Sequence, residues 1–265
     1  MSKHERWNAL LELLAAEGRV EVEEAAGALR VSPATIRRDL DELAGQQMLV
    51  RTRGGAVAHG VSYELPLRYK SARHASEKQR IAEAAADLIG QGEVVGLNGG
   101  TTTTEVARVL ALRAGGAHRD APEPRAPFLT VVTNALNIAG ELAVRPQIKI
   151  VVTGGVARPQ TYELVGPLAA GVLGEVVLDV AVLGVDALDA ELGVMTRHED
   201  EASVSRRFAE RARRVVVVAD SSKMGRRAFA RICGLERVDV VVTDAGIDGG
   251  SATRFEEAGI RLVTV

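Results

Sequence analysis

The sequence predicts an α/β protein in two domains: a small helical unit closed by a hairpin, then a larger domain built on a mainly parallel sheet. Three observations predict this. Residues 1–57 hold three short amphipathic segments, followed by a Gly-Gly turn between two short apolar runs. From Glu77 onward, short and often fully apolar runs recur with helical segments between several of them, as expected for strands covered on both faces. Between these regions, residues 58–75 show no clean period, and Gly60 and Pro66 break any helix. The expected division is 1–57, a linker at 58–75, and 76–265.

Composition narrows the function classes. Of 265 residues, 46% are apolar and only 3% aromatic, so the core is Val, Leu, Ile and Ala. A net charge of −2 argues against a bulk nucleic-acid coat protein, but a specific DNA reader needs only local charge. Residues 1–60 carry eight Lys/Arg against nine Asp/Glu, while Arg30 to Arg53 carries five arginines against Asp39, Asp41 and Glu42. So small a basic footprint implies modest non-specific affinity and tight binding only as a homodimer or higher homo-oligomer. The one cysteine, Cys233, allows no intrachain disulfide and no Cys-rich zinc site, which suits a cytoplasmic protein; its apolar neighbours mark it as structural. The five histidines are scattered without metal-ligand spacing, so no metal is expected. The charged start MSKHERWNALLELL is unlike a signal peptide, and no run of 18 apolar residues predicts a membrane span.

Taken in order, Trp7, Leu10, Leu11 and Leu14 form one face of a first helix ending near Gly18. Ala25, Ala26 and Leu29 mark a second, and Val31 to Gly45 the third. In the third, Ser32 is a good N-cap and Pro33 suits the first helical position. Ile36, Leu40 and Leu43 share an apolar face, with Ala34, Arg37, Arg38 and Asp41 opposite. Met48–Val50 then opens a strand, Gly54-Gly55 turns, and Ala56-Val57 returns. Arg51 and Arg53, two apart, are expected on one face of that hairpin. Helix plus hairpin reads as a winged helix-turn-helix. Ser32, Thr35, Arg37 and Arg38 would meet base edges or nearby phosphates of double-stranded DNA, and Arg51 and Arg53 phosphates or the minor groove. The plainer alternative is a surface helix with solvated arginines.

In the second domain, Ile81, Ala85, Leu88 and Ile89 mark a helix. Strands are predicted at Val94–Leu97, Leu129–Val132, Ile148–Val152, Val180–Leu183, Val215–Ala219, Val238–Val242 and Leu262–Val265. Helices are predicted at Thr103–Leu112, Leu136–Leu142 and Ala202–Ala212, and residues 113–127, rich in Gly and Pro, as a long exposed loop.

Ligands of open α/β sheets bind at the carboxyl ends of the strands. The residues just after five of these runs include Asn98 to Ala107 (NGGTTTTEVA), Thr133-Asn134, Thr153-Gly154-Gly155, Gly184-Val185-Asp186 and Asp220-Ser221-Ser222-Lys223. Together they offer backbone donors, hydroxyls, a lysine and an aspartate. That set suits a small anionic polyol, with phosphate on the glycines, threonines (Thr101, Thr102) and Lys223, and sugar hydroxyls on Asn134 and Asp186. Neither GxGxxG nor GxxxxGK[ST] is present, so no nucleotide cofactor is indicated.

VSPATIRRDLDEL with LVRTRGGAV resembles the signature of the DeoR-type bacterial transcriptional regulators. EKQRIAEAAADLI, LNGGTTTTEVA, VVTNALNIA, VVTGG, LVGPLA, ADSSKMG and VDVVVTD extend the resemblance over nearly the whole chain. It implies a sensor domain similar in fold to sugar-phosphate isomerases, and repression of a sugar-metabolism operon relieved by a phosphorylated sugar. The effector positions it implies are Gly99, Gly100, Thr101, Thr133, Asn134, Gly154, Gly155, Asp186, Glu201 and Lys223. Two stretches depart from the pattern: the long 113–127 segment, and GVMTRHEDEA, which follows it only loosely around Glu201. The expected protein is a regulator and no enzyme, its effector acting on the DNA-binding helices through the 58–75 linker. The alternative is a sugar-phosphate isomerase with Asp186 or Glu201 as base and Lys223 stabilising charge.

Overall fold

The computed structural model describes residues 1–45, 48–57, 67, 74–117 and 127–265. The chain forms two compact units, Met1–Arg73 and His74–Val265. Apart from residues 67, 74 and 75, the predicted linker lies outside the described residues.

In the first unit, α1 (Lys3–Glu17) starts at a capping box between Ser2 and Glu5 and ends at Gly18, whose φ of +74° only glycine adopts without strain. Strand β1 (Arg19–Glu21) leads into α2 (Val22–Leu29), and α3 (Pro33–Gly45) follows. The Ser32 hydroxyl accepts from the Thr35 N–H at 3.2 Å, so the predicted cap is formed. Ile36, Leu40 and Leu43 are fully buried against Leu10, Leu11 and Val22. Strands β2 (Val50–Arg51) and β3 (Gly55–Val57) complete an antiparallel sheet of order β1-β3-β2. Val20, unassigned by periodicity, thus pairs with the returning strand of the wing, opposite Ala56.

In the second unit, α4 (Ala75–Asp87) precedes β4 (Val94–Leu97), α5 (Thr101–Ala117), β5 (Leu129–Thr133), α6 (Leu136–Leu142) and β6 (Ile148–Val152). A hairpin of β7 (Val156–Ala157) and β8 (Leu164–Val165) follows, then α7 (Pro167–Gly174) and β9 (Leu178–Gly184). Next come β10 (Ala187–Asp189), β11 (Gly193–Thr196), α8 (Glu199–Arg211), β12 (Ala212–Val218), β13 (Ala230–Cys233), β14 (Val240–Thr243), α9 (Gly249–Glu257) and β15 (Arg261–Thr264). All seven predicted runs lie in one seven-stranded sheet of order β15-β14-β12-β9-β4-β5-β6, and every pairing in it is parallel.

The apolar runs are explained by burial on both faces. On one, Val95, Val180, Val182 and Val216 meet Ile81, Leu110 and Ile138 of α4, α5 and α6. On the other, Ala181, Leu183, Val215 and Val217 meet Leu173, Phe208 and Phe255 of α7, α8 and α9. Gly96 in β4 leaves room for this second layer: a Cβ there would stand 2.7 Å from both Leu178 and Phe208. Gly96→Ala is expected to lower the unfolding free energy of the second unit by about 1–3 kcal/mol through overpacking, read from denaturant unfolding.

One expectation is corrected. Residues 113–117 do not begin a loop but extend α5 to Ala117. Ala114 is fully buried, and Arg113 is anchored to Asp87 at 2.7 Å and to the Glu83 carbonyl at 3.2 Å. This packing outweighs the low helix propensity of Gly115 and Gly116. Residues 118–126 lie outside the described residues. The small strands β7, β8, β10, β11 and β13 carry no long apolar run, which is why periodicity did not find them.

Candidate functional site

The first unit presents one arginine-bearing helix face. Ala34, Arg37, Arg38 and Asp41 are exposed on α3, opposite its buried stripe. Arg37 pairs with Glu23 at 3.1 Å, with both side chains more than half exposed, so the pair is weak. Ser32 and Thr35 sit at the start of α3, their hydroxyls 2.9 Å apart.

The wing differs from expectation. Arg51 and Arg53 do not share a strand face, because β2 ends at Arg51 and a tight turn follows, closed by Gly55 N–H to the Thr52 hydroxyl at 3.1 Å. Arg51 is turned inward, donating to Asp41 at 2.7 Å and to the Gly55 carbonyl; it ties the wing to α3. Arg53 is exposed in the turn.

Asp39 was not singled out by sequence reasoning, and it holds this unit together. It lies on α3 but points inward, taking Nε and Nη2 of Arg6 and the indole N–H of Trp7 at 3.0 Å. Burial alone would raise its pKa. The hydrogen bonds from Arg6 and Trp7, with the positive charges of Arg6 and Lys3, outweigh burial and hold the carboxyl below the usual range. An aspartate beside two arginines reads as surface charge; only the helix angle, one residue before Leu40, hinted otherwise.

In the second unit the strand order creates the site. Chain order runs outward from β4 through β5 to β6, then returns to β9 on the other side of β4 and runs outward to β15. The β4–β9 pair is therefore the topological switch point, the place in the strand order beside which open α/β sheets bind their ligands. Asn98 bridges this point: its amide donates to the Gly184 carbonyl at 2.9 Å and accepts from the Gly184 N–H at 2.8 Å. It also donates to Ser205 at 3.1 Å, which ties in α8.

All five predicted loops lie at this carboxyl edge. Gly99 and Gly100 follow Asn98, with Gly100 at φ +144°, and the carbonyl of Gly100 accepts from the hydroxyls of Thr103 and Thr104. Thr101 is half-buried and Thr102 buried at the first turn of α5. Thr133 is fully buried, its hydroxyl accepting from Ala135 N–H at 3.0 Å. Asn134 is fully buried too, its amide donating to Glu163 at 2.9 Å and to the Leu164 carbonyl at 3.2 Å. Gly154 and Gly155 have φ of +73° and +123°, and a Cβ on Gly155 would press on the Val165 carbonyl at 2.8 Å. Lys223 ends a 3-10 turn, Ser221–Lys223, pinned by two carboxylates: Asp220 caps Ser222, and Asp244 takes the Ser221 N–H at 2.7 Å and hydroxyl at 2.9 Å.

Asp186 and Glu201 meet through Thr196, whose hydroxyl lies 3.0 Å from Asp186 and 3.3 Å from Glu201. Glu201 is buried in the first turn of α8; it accepts from the Thr161 hydroxyl at 2.9 Å and forms an ion pair with Arg158, whose Nε lies 3.1 Å away. Arg158, Thr161 and Glu163 were missed because the β7–β8 hairpin that carries them has no periodic signal. Cys233 is half-buried, and burial with Glu236 nearby pushes its thiol up to about 11, which disfavours the thiolate at neutral pH. Among the described residues, no cluster of His, Cys, Asp or Glu could hold a metal ion, and no helix is long and apolar enough to cross a membrane.

A winged helix-turn-helix followed in the same chain by a parallel α/β unit with Gly- and Thr-rich loops along its carboxyl edge has the plan of a DNA-binding regulator with a sensor domain. Comparison with known proteins gives the particular family. A model described as the DeoR-like helix-turn-helix domain matches residues 6–60, and one described as the DeoR C terminal sensor domain matches residues 73–245. The HTH-type transcriptional regulator GlpR of Haloferax volcanii is 36% identical over 260 residues, 98% of this chain and 96% of that one. The glycerol-3-phosphate regulon repressor of Escherichia coli K12 is 33% identical over 245 residues, 92% of each chain. The chain belongs to the DeoR family of transcriptional regulators. A solved ribose 5-phosphate isomerase A from Methanocaldococcus jannaschii overlaps 57% of this chain and 54% of its own at 18% identity and a TM-score of 0.42, a likeness too slight to bear on activity.

Proposed function

We propose that this chain represses genes of sugar or polyol-phosphate metabolism and that a phosphorylated sugar bound at the carboxyl edge of the sheet, beside the switch point, controls its hold on operator DNA. One observation carries the reading: five separate loops with anion-binding and hydroxyl-binding chemistry end at one edge of one sheet, with Asn98 joining the two strands of the switch point. The effector residues proposed are Gly99, Gly100, Thr101, Thr102, Thr133, Asn134, Gly154, Gly155, Asp186, Glu201 and Lys223. Thr133 and Asn134 contribute by shaping the floor, since their side chains are buried. On DNA, Arg37 and Arg38 reach base edges or phosphates, Arg53 reaches phosphate or the minor groove, and Ser32, Thr35 and Arg51 position them. Because the basic face is small, two copies on paired half-sites supply the affinity. The protein works in the cytoplasm, where operator and metabolite meet.

A regulator fits better than an isomerase. Asp186 and Glu201 accept hydrogen bonds or ion pairs from Thr196, Arg197, Thr161 and Arg158, which lowers their worth as free bases. Solvent-proton exchange into candidate sugar phosphates, followed by NMR, is expected to stay at the background rate. The direct test of the sensor is Lys223→Ala: operator binding should persist while the response to effector falls at least tenfold in concentration. Loss of DNA binding in that variant would count against separate roles for the two units.

A further inference from the structure

The arginines of the DNA-binding face are set among carboxylates of the same unit. A groove of about 350 Å³ opens between the start of α2, helix α3 and the wing; its walls carry Glu21, Glu23 and Glu24, and Arg37, Arg51 and Arg53. The wing is seated on the start of α2: the Gly54 carbonyl takes the Val22 N–H at 2.9 Å, and a Cβ on Gly54 would stand 2.8 Å from the Oε2 of Glu21. Arg51 is held by Asp41 at 2.7 Å. Arg37, in the second turn of α3, reaches across to α2, where its Nη2 donates to the Oε1 of Glu23 at 3.1 Å. The Glu23 side chain is 72% exposed and that of Arg37 56%, so both carry their charge in water at neutral pH. Glu24, the next residue of α2, is exposed too but is not paired with Arg37.

A guanidinium carries five N–H donors in a fixed fork, and Glu23 takes one of those on Arg37. The others remain for a second acceptor, and the carboxylate decides which kind is favoured. A DNA phosphate brought to Arg37 is an anion beside the Glu23 carboxylate, and the two repel. The O6/N7 edge of guanine is a neutral pair of acceptors that fits the same fork without that cost. DNA of any sequence offers phosphate, whereas only some sequences offer guanine at a given place. We propose that Glu23 is a specificity-determining positioning residue of the DNA-binding unit: it holds the Arg37 guanidinium beside its own carboxylate and so turns Arg37 from phosphate towards guanine. This rests on the reading of DNA by α3 given above and deepens it.

The test selects duplexes from a randomised library with the full-length wild type, then measures the affinity of the selected duplex and of a scrambled one over a range of salt. A guanine of the selected motif should lose its preference in Arg37→Ala. Glu23→Gln should bind the scrambled duplex about fivefold more tightly per bound copy, the scale of one exposed ion pair released, with a salt dependence steeper by about one unit of slope per copy. Its affinity for the selected duplex should stay within about twofold of the wild type, so that the preference between the two duplexes narrows. Glu24→Gln removes the same charge from the same turn but not the contact, and should change neither affinity by more than about twofold. With Arg37→Ala already in place, Glu23→Gln should act no more strongly than Glu24→Gln. A preference between duplexes that Glu23→Gln leaves unchanged, that Glu24→Gln narrows equally, or that Glu23→Gln still narrows without Arg37 overturns the role of Glu23 and leaves the DNA reading standing. So does a guanine preference that survives Arg37→Ala. No motif selected by the wild type overturns both.

Discussion

Asp39→Ala is expected to unfold the N-terminal unit well before the rest of the chain melts. The substitution leaves the Arg6 guanidinium, its side chain only 13% exposed, without its carboxylate, and leaves the Trp7 indole N–H without its acceptor. Breaking a buried pair by removing one partner costs about 3–5 kcal/mol, a large share of what a small domain has. The sign of the pH effect follows from the lowered carboxyl. A group whose folded pKa is depressed contributes stability above the ordinary carboxylate range and loses it as pH falls through the folded value. The deficit of the variant against the wild type should therefore be greatest near neutrality and shrink in acid. Two transitions in thermal unfolding, the first shifted down only in the variant, are the expected reading. Equal melting of wild type and variant at neutral pH would show that Asp39 does not hold α1 to α3.

The second large effect is on DNA. Arg37→Ala with Arg38→Ala removes both arginines of the exposed α3 face without touching the buried stripe. Taking an arginine away from a base edge costs about 1–3 kcal/mol, and taking one away from a phosphate flattens the salt dependence by about one unit of slope. Specific binding should fall by at least a hundredfold while stability and effector binding stay as in the wild type. Affinity within a factor of two of the wild type would move the DNA face off α3.

Much of the architecture was legible because it follows from period and burial. Ser32, Pro33 and the Ile36–Leu40–Leu43 stripe define α3 locally, and the apolar runs from Val94 to Val265 are what strands covered on both faces require. The loops after those strands could be named, but not which of them are neighbours: nothing local to Asn98 says that β4 lies beside β9. Long-range partners were hidden for the same reason. Asp39 looks like surface charge until Arg6 and Trp7, over thirty residues away, are placed against it. Glu163 sits in the β7–β8 hairpin, which has no periodic pattern, and nothing local to Arg51 says that it also ties the wing to Asp41 and the Gly55 carbonyl. At Gly115-Gly116 composition misled, because burial of Ala114 and the anchoring of Arg113 carry the helix through two poor helix formers.

The most direct measurement of the central claim is fluorescence anisotropy with DNA flanking the protein's own gene and nearby control regions, at physiological salt, with competitor DNA and a titrated panel of sugar phosphates. Specific binding that one phosphorylated sugar shifts at least tenfold is the predicted result. Absence of specific binding on every fragment, with and without the sugars, would contradict the account.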